Sequence, residues 1–198
     1  VSNRQPNVII VSADTLRADH LGSYGAPHGA TPNLDRLAEQ SVLFERCFSP
    51  VPITLPSHCS MLTGMYPPRH SVRDNGTFRL PPDIPTLATM LKGHGYRTVG
   101  VIGSFPLESR FGLNQGFDEW NEDFSAAGTG MIKVFFDERK ADRVTETALE
   151  IVDDEDERPL MLFVHYFDPH HPWNAPPPFS LQFMENPYVA EIASNPFI

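Results

Sequence analysis

Asp14 ends the β-branched run Val8-Ile9-Ile10-Val11. A carboxylate closing a buried strand stays charged only beside a cation or several donors. Capping the next turn is its other ordinary use. Thr54 stands before Pro56 and the helix-like stretch Ser57 to Leu62. Its hydroxyl therefore meets a helix N-terminus, where free N–H groups and the positive dipole end favour a tetrahedral oxyanion. Threonine is a weak nucleophile at its own pKa, and coordination to a cation also held by Asp14 is the simplest activation. The competing reading of Thr54 is a turn residue. Further along, Leu160 to Val164 empties into the histidine-rich loop Asp168-Pro169-His170-His171. An imidazole there changes charge near neutral pH and suits proton transfer.

These residues need a scaffold that gathers them. Val8 to Val11, Val42 to Phe44, Thr98 to Ile102 and Leu160 to Val164 read as strands, the continuous apolar runs suiting a sheet covered on both faces. Between them, Thr31-Pro32 opens a helix carrying Leu34, Leu37 and Ala38, and Ser57 to Leu62 stops at Gly64. Thr86 to Leu91 and Arg139 to Val152 supply two more helices. Proline, 20 of 198 residues, clusters at Pro50 to Pro56, Pro67-Pro68, Pro81 to Pro85 and Pro172 to Pro178 as loop punctuation. Alternating strands and helices predict a three-layer α/β/α domain with a mainly parallel sheet. Its sites gather beyond the carboxyl ends of the strands, where Asp14, the Thr54 turn and the Asp168–His171 loop fall.

The 15 basic residues against 25 acidic ones leave a net charge of −10, which argues against nucleic acid as a partner. With 40% apolar and 20% charged residues the chain suits one globular domain, residues 1–198, burying roughly 70% of its unfolded surface. No stretch approaches the roughly 18 apolar residues of a membrane helix. The chain opens at Val1 without Met or an apolar leader, so removal of an upstream signal or anchor is an open expectation. Localisation stays unassigned, an exported or periplasmic site fitting that case. Cys47 and Cys59 lack metal-type spacing and read as small buried hydrophobes. The acidic run Asp153 to Glu157 reads as a solvated loop.

Asn7 to Asp14, Tyr24-Gly25, Thr31 to Ala38 and Leu62-Thr63-Gly64-Met65-Tyr66-Pro67 together resemble the N-terminal part of a sulfatase of the alkaline phosphatase superfamily. The resemblance runs to about Phe179. It implies an alkaline-phosphatase-like fold in which Asp14 is the first metal-binding aspartate, Thr15 replaces a frequent second one, and Thr54 takes the nucleophile position. Sulfatases place there a formylglycine made from the cysteine or serine of Cys-x-Pro-x-Arg. This chain reads Thr54-Leu55-Pro56-Ser57-His58, with His58 at the arginine position and Cys59 out of register, so no formylglycine is expected. The same stretch resembles the nucleotide pyrophosphatase/phosphodiesterase branch, whose nucleophile is a threonine. That branch places an asparagine where Asn75 follows, suited to steadying developing negative charge because a neutral amide has no proton to lose. Asp74-Asn75-Gly76 is also a strong turn sequence. His170 matches a sulfatase histidine near the scissile ester, while Asp168 and His171 are weaker candidates. Gly103 to Pro106 lacks the Lys-x-His pair of many sulfatases, leaving Arg73 or Arg110 as substitutes.

The resemblance further implies a divalent cation (calcium, magnesium or zinc), a small-molecule or glycan sulfate or phosphate ester as substrate, and a second pair of metal ligands beyond Ile198. Asp14 and Thr54 are too few for calcium's six to eight oxygens. The fold is thus expected to be incomplete at its C-terminus, with Tyr188 to Ile192 opening the next helix. A non-catalytic sulfatase-like module is the alternative function.

Overall fold

The structure, a computed structural model, describes residues 5–26, 31–124, 138–171, 173 and 175–182. The expected helix at Tyr188 to Ile192 lies outside them. Among the described residues four strands, β1 (Val8–Ala13), β2 (Arg97–Val101), β3 (Glu119–Asn121) and β4 (Leu160–Tyr166), form one sheet in the order β1-β4-β2-β3. Every pairing is parallel, with Ile10 opposite Phe163 and Val99 opposite Leu162. The helices are α1 (Pro32–Ala38), α2 (Thr54–Thr63), α3 (Pro67–His70), α4 (Leu87–Gly93), α5 (Ala141–Val152) and α6 (Phe179–Gln182).

Side-chain alternation along β4 builds both cores at once. Met161 and Phe163 join Leu55, Cys59 and Leu62 of α2 and Ala88 of α4 on one face. Leu160, Leu162 and Val164 meet Val144 and Ala148 of α5 on the other, with Val99 and Val101 of β2. Helices therefore cover the sheet on both sides, as a three-layer α/β/α domain requires. Phe163 is fully buried, which contributes about 2–3 kcal/mol by transfer alone.

Several local expectations need correction. Val42 to Phe44 is not a strand, and Val42 and Phe44 are exposed. So short an apolar run carries no periodicity, and a strand also needs a neighbour to complete its ladder. Pro67-Pro68 opens α3 rather than a loop, proline being well placed in a first turn whose N–H groups have no intrahelical partner. Helix α2 begins at Thr54, earlier than Ser57, and Pro56 sits in its first turn for the same reason. Thr31 flanks α1 without capping it, since its hydroxyl donates to Asp35 and accepts the Gly22 N–H. Cys47 is exposed, whereas Cys59 is buried. The acidic run is partly tied down: Arg97, buried at the amino end of β2, donates to Asp154 at 2.7 Å, and Arg158 holds Asp156 at 2.7 Å.

β2 and β4 approach closely just past their paired residues. A Cβ on Gly103 would stand 2.8 Å from the His165 carbonyl oxygen and 3.2 Å from the Phe167 nitrogen. Backbone cannot swing aside as a side-chain tip can. Gly103→Ala is therefore expected to cost about 1–3 kcal/mol, read as a lower urea midpoint at unchanged slope. An unaltered midpoint would mean that the strands part freely there.

Candidate active site

Asp14, Thr54, Asn75 and His170 line one cavity of about 540 Å³ at the carboxyl ends of β1 and β4. Four segments far apart in sequence thus converge, as the strand-end rule anticipates. Asp14 is held by the last parallel step, its N–H donating to the Tyr166 carbonyl at 2.9 Å. The Thr54 hydroxyl donates to Asp14 Oδ2 at 3.1 Å, and both residues are buried.

The Leu55 N–H donates to Asn75 Oδ1 at 2.8 Å. Since an amide oxygen only accepts, this contact fixes the orientation of Asn75 and leaves its Nδ2 hydrogens for other acceptors. It also occupies one of the first-turn N–H groups. Pro56 has none and the Ser57 N–H donates to Ile53, so Asn75 carries more of the donor role than the bare helix end does.

His170 is stacked on Phe167, ring centroids 4.3 Å apart. Its Nδ1 lies 2.6 Å from the His171 carbonyl oxygen, which can only accept. The neutral ring therefore carries its proton on Nδ1 and keeps Nε2 bare. His171 itself is exposed and packs edge-on to Trp173. Asp168, Arg73 and Arg110 do not line the cavity. Asp168 Oδ2 is buried with no hydrogen-bond partner among the described residues. Arg110 pairs with Glu108 and lies over the Phe105 ring. Cys59 is enclosed within α2, where burial pushes its thiol up to about 12.

Two histidines, His58 in the lining of the cavity and His165 outside it, carry more of the site than the sequence reading assigns to them. His165 is fully buried, its Nδ1 facing the Gly103 N–H and its Nε2 facing Asp14 Oδ2, both at 3.4 Å. These are long, weak contacts. The available signal was a histidine within the otherwise apolar strand Leu160–Tyr166. His58 lies 4.9 Å from His165, nearly perpendicular to it. Burial raises the Asp14 carboxyl, but the His165 contact, the nearby His58 and the Thr54 hydroxyl together hold it below its ordinary value.

Burial also lowers His58 to about 4, with His165 adding to the fall against the pull of the Thr54 carbonyl and Asp14. A histidine kept neutral by folding binds its proton more readily when unfolded. Its contribution to stability is complete above the ordinary 6.5 and is lost as pH falls from 6.5 to 4. That window amounts to about 3 kcal/mol. Urea midpoints of the metal-free protein are expected to drop across it, and His58→Asn should flatten the drop. An identical slope in the variant would contradict the assignment.

A parallel sheet covered on both faces, with an acidic residue, a hydroxyl, an amide and an imidazole meeting past its strand ends, defines an α/β protein with one candidate site at the strand carboxyl ends. The family model described as Sulfatase matches residues 6–191, and the chain belongs to the sulfatase family. An N-acetylglucosamine-6-O-sulfatase of Bacteroides thetaiotaomicron is 27% identical over 206 residues, taking in 96% of this chain and 35% of that protein. A solved structure described as a complex with its substrate D-glucosamine-2-N,6-O-disulfate matches at a TM-score of 0.76 and 22% identity, over 92% of this chain and 38% of that one. The phosphonate monoester hydrolase of Agrobacterium radiobacter matches at 0.66 and 22% identity, over 90% and 44%. At these identities the solved structures share the fold. The chain spans about a third of the curated relative's length, 35%.

Proposed function

We propose that this chain is the N-terminal part of a metal-dependent hydrolase of sulfate or phosphate esters with Thr54 as its nucleophile. The observation that carries the reading is the Thr54 hydroxyl donating to Asp14 inside a cavity also lined by Asn75 and His170. Asp14 and Thr54 supply two oxygen donors of the kind a hard cation takes, part of the set it needs. Two oxygens 3.1 Å apart match neighbouring ligands of an ion bound at about 2.1–2.5 Å. Calcium, magnesium and zinc all accept oxygen donors. Such an ion, held by Asp14 and Thr54, would lower the pKa of the hydroxyl and so supply a nucleophile at neutral pH.

The chain's own residues would do the rest. Thr54 Oγ1, its proton released to solvent, would attack the sulfur or phosphorus as the bond to the ester's alkoxide breaks, and water would then cleave the Thr54 ester and restore the hydroxyl. Asn75 Nδ2, oriented by the Leu55 N–H, donates to an equatorial oxygen as negative charge builds there. His170, once its ring is doubly protonated, would present an Nε2–H that donates to an anionic oxygen or passes its proton to the departing alkoxide. Threonine cannot form the aldehyde of a formylglycine, so the first step is direct transfer to Thr54. Sulfate and phosphate share the tetrahedral geometry this arrangement would hold, and the substrate is taken to be a small molecule or a glycan carrying either group.

A second reading, a non-catalytic sulfatase-like module, draws on the metal donors. Among the described residues no group of three His, Cys, Asp or Glu side chains is placed to hold an ion. The two readings separate in a divalent-metal titration of this chain beside the protein extended through its reading frame, with aryl phosphate, phosphodiester and aryl sulfate substrates. Metal-dependent turnover by the extended form is the expected result, and no turnover in either form would leave only the fold. In the active form, Asn75→Ala should lower kcat by on the order of a hundredfold if the amide meets the developing charge. An unchanged kcat with a lowered melting temperature would make Asn75 a turn residue.

A further inference from the structure

In the wall of the cavity, Ser12 of β1 and His58 of α2 make a contact that the proposed chemistry does not use. His58 is 4% exposed, and its Nδ1 lies 2.7 Å from the Thr54 carbonyl oxygen. A carbonyl oxygen only accepts, so the ring proton sits on Nδ1. The neutral imidazole then has a bare Nε2, which faces Ser12 Oγ at 2.9 Å. The Ser12 hydroxyl must therefore donate to His58, and His58 must donate to Thr54. Ser12 stands two residues before Asp14, the acceptor of the Thr54 hydroxyl. The strand thus holds Thr54 twice, once directly by its side-chain oxygen and once through an imidazole by its carbonyl.

We infer that Ser12 and His58 are positioning residues for Thr54, a strap that fixes the first turn of α2 against β1 and sets where the hydroxyl points. The inference rests on Thr54 being the nucleophile. Neither end of the strap is free to drift. Ser12 belongs to a strand paired along its length with β4, through the register Ser12 opposite His165. The His58 ring is held edge-on by His165 at 4.9 Å and by Phe163 at 6.0 Å. In-line attack demands placement of the reacting oxygen well within an ångström, and a displacement of about 1 Å costs roughly a hundredfold in rate. Such a strap acts on rate more than on substrate affinity, because both residues line the cavity but spend their polar atoms on each other and on the Thr54 carbonyl.

The experiment uses the protein in its full reading frame with Ser12→Ala, His58→Asn, His58→Ala and Thr54→Ala. Ser12→Ala and His58→Ala should lower kcat by about 10- to 100-fold with KM changed less than about threefold. His58→Asn should recover part of the loss, because its amide nitrogen can stand near the position of Nδ1 and still donate to the Thr54 carbonyl. If His58→Ala fails to fold, Ser12→Ala and His58→Asn decide the matter, since serine to alanine removes a single atom. Wild-type kcat in Ser12→Ala overturns the strap. So does a loss in which KM rises in step, or one that follows the melting temperature alone. A Thr54→Ala variant with undiminished turnover would instead bring down the nucleophile assignment, which keeps the two failures apart.

Discussion

Thr54→Ala in the full-length protein is expected to abolish turnover while the fold persists. The substitution removes the hydroxyl proposed to attack the ester and retains a helix-compatible side chain at the start of α2. Loss of a nucleophile commonly costs a factor of at least ~10⁴ in kcat, leaving only what binding and charge stabilisation achieve on their own. The hydrogen bond lost to the Asp14 carboxylate costs about 1.5–3 kcal/mol of stability, less than the usual stability of a domain with two apolar clusters. Thr54→Ser keeps the hydroxyl and should keep measurable turnover. Rate and melting temperature measured together separate chemistry from folding, and an undiminished rate in Thr54→Ala would remove Thr54 from the mechanism.

Asp14→Asn should have an effect of similar size for a different reason. The amide is nearly the same shape and can still accept from the Thr54 hydroxyl, so the geometry of β1 and α2 is preserved. What disappears is the negative charge, and a hard dication depends on charged oxygens for affinity. Calorimetric titration should show binding of the divalent cation weakened by at least tenfold, with turnover falling to near background at moderate metal concentration. Excess metal restoring part of the rate would identify the defect as one of binding. Unchanged affinity and rate would show that Asp14 serves only to accept from Thr54 and to cap the strand end.

Much of this arrangement is legible in the sequence because its signals are local. The β-branched run of β1 and the apolar run of β4 mark buried strands, and the residue at which each run ends marks a site. That rule places Asp14 and the His170 loop. Thr54 is legible from the proline that follows it, and Asn75 from its place in the resemblance to the phosphodiesterase branch. Less legible is whatever depends on distant partners. The Asn75 orientation comes from the Leu55 N–H, 20 residues away in sequence, a contact that no local pattern encodes. His58 reads as a stand-in for an arginine, yet in the fold its ring nitrogens face Ser12 and the Thr54 carbonyl. His165 hides in a continuous apolar strand that marks it only as buried. Val42 to Phe44 shows the opposite failure, an apolar triplet that resembles a strand but lies exposed. Glu119–Asn121 was missed as a strand because its three residues carry almost no alternation, and its pairing with β2 supplies the ladder.

The most direct test of the nucleophile is to trap its covalent state. The full-length protein is mixed with excess activated ester, quenched in acid within one turnover, digested and mapped by mass spectrometry. The account expects a phosphoryl or sulfuryl adduct on the peptide carrying Thr54, fragmenting to that residue and absent from Thr54→Ala. An adduct on any other side chain of the cavity, such as Ser12 or Ser57, would contradict it.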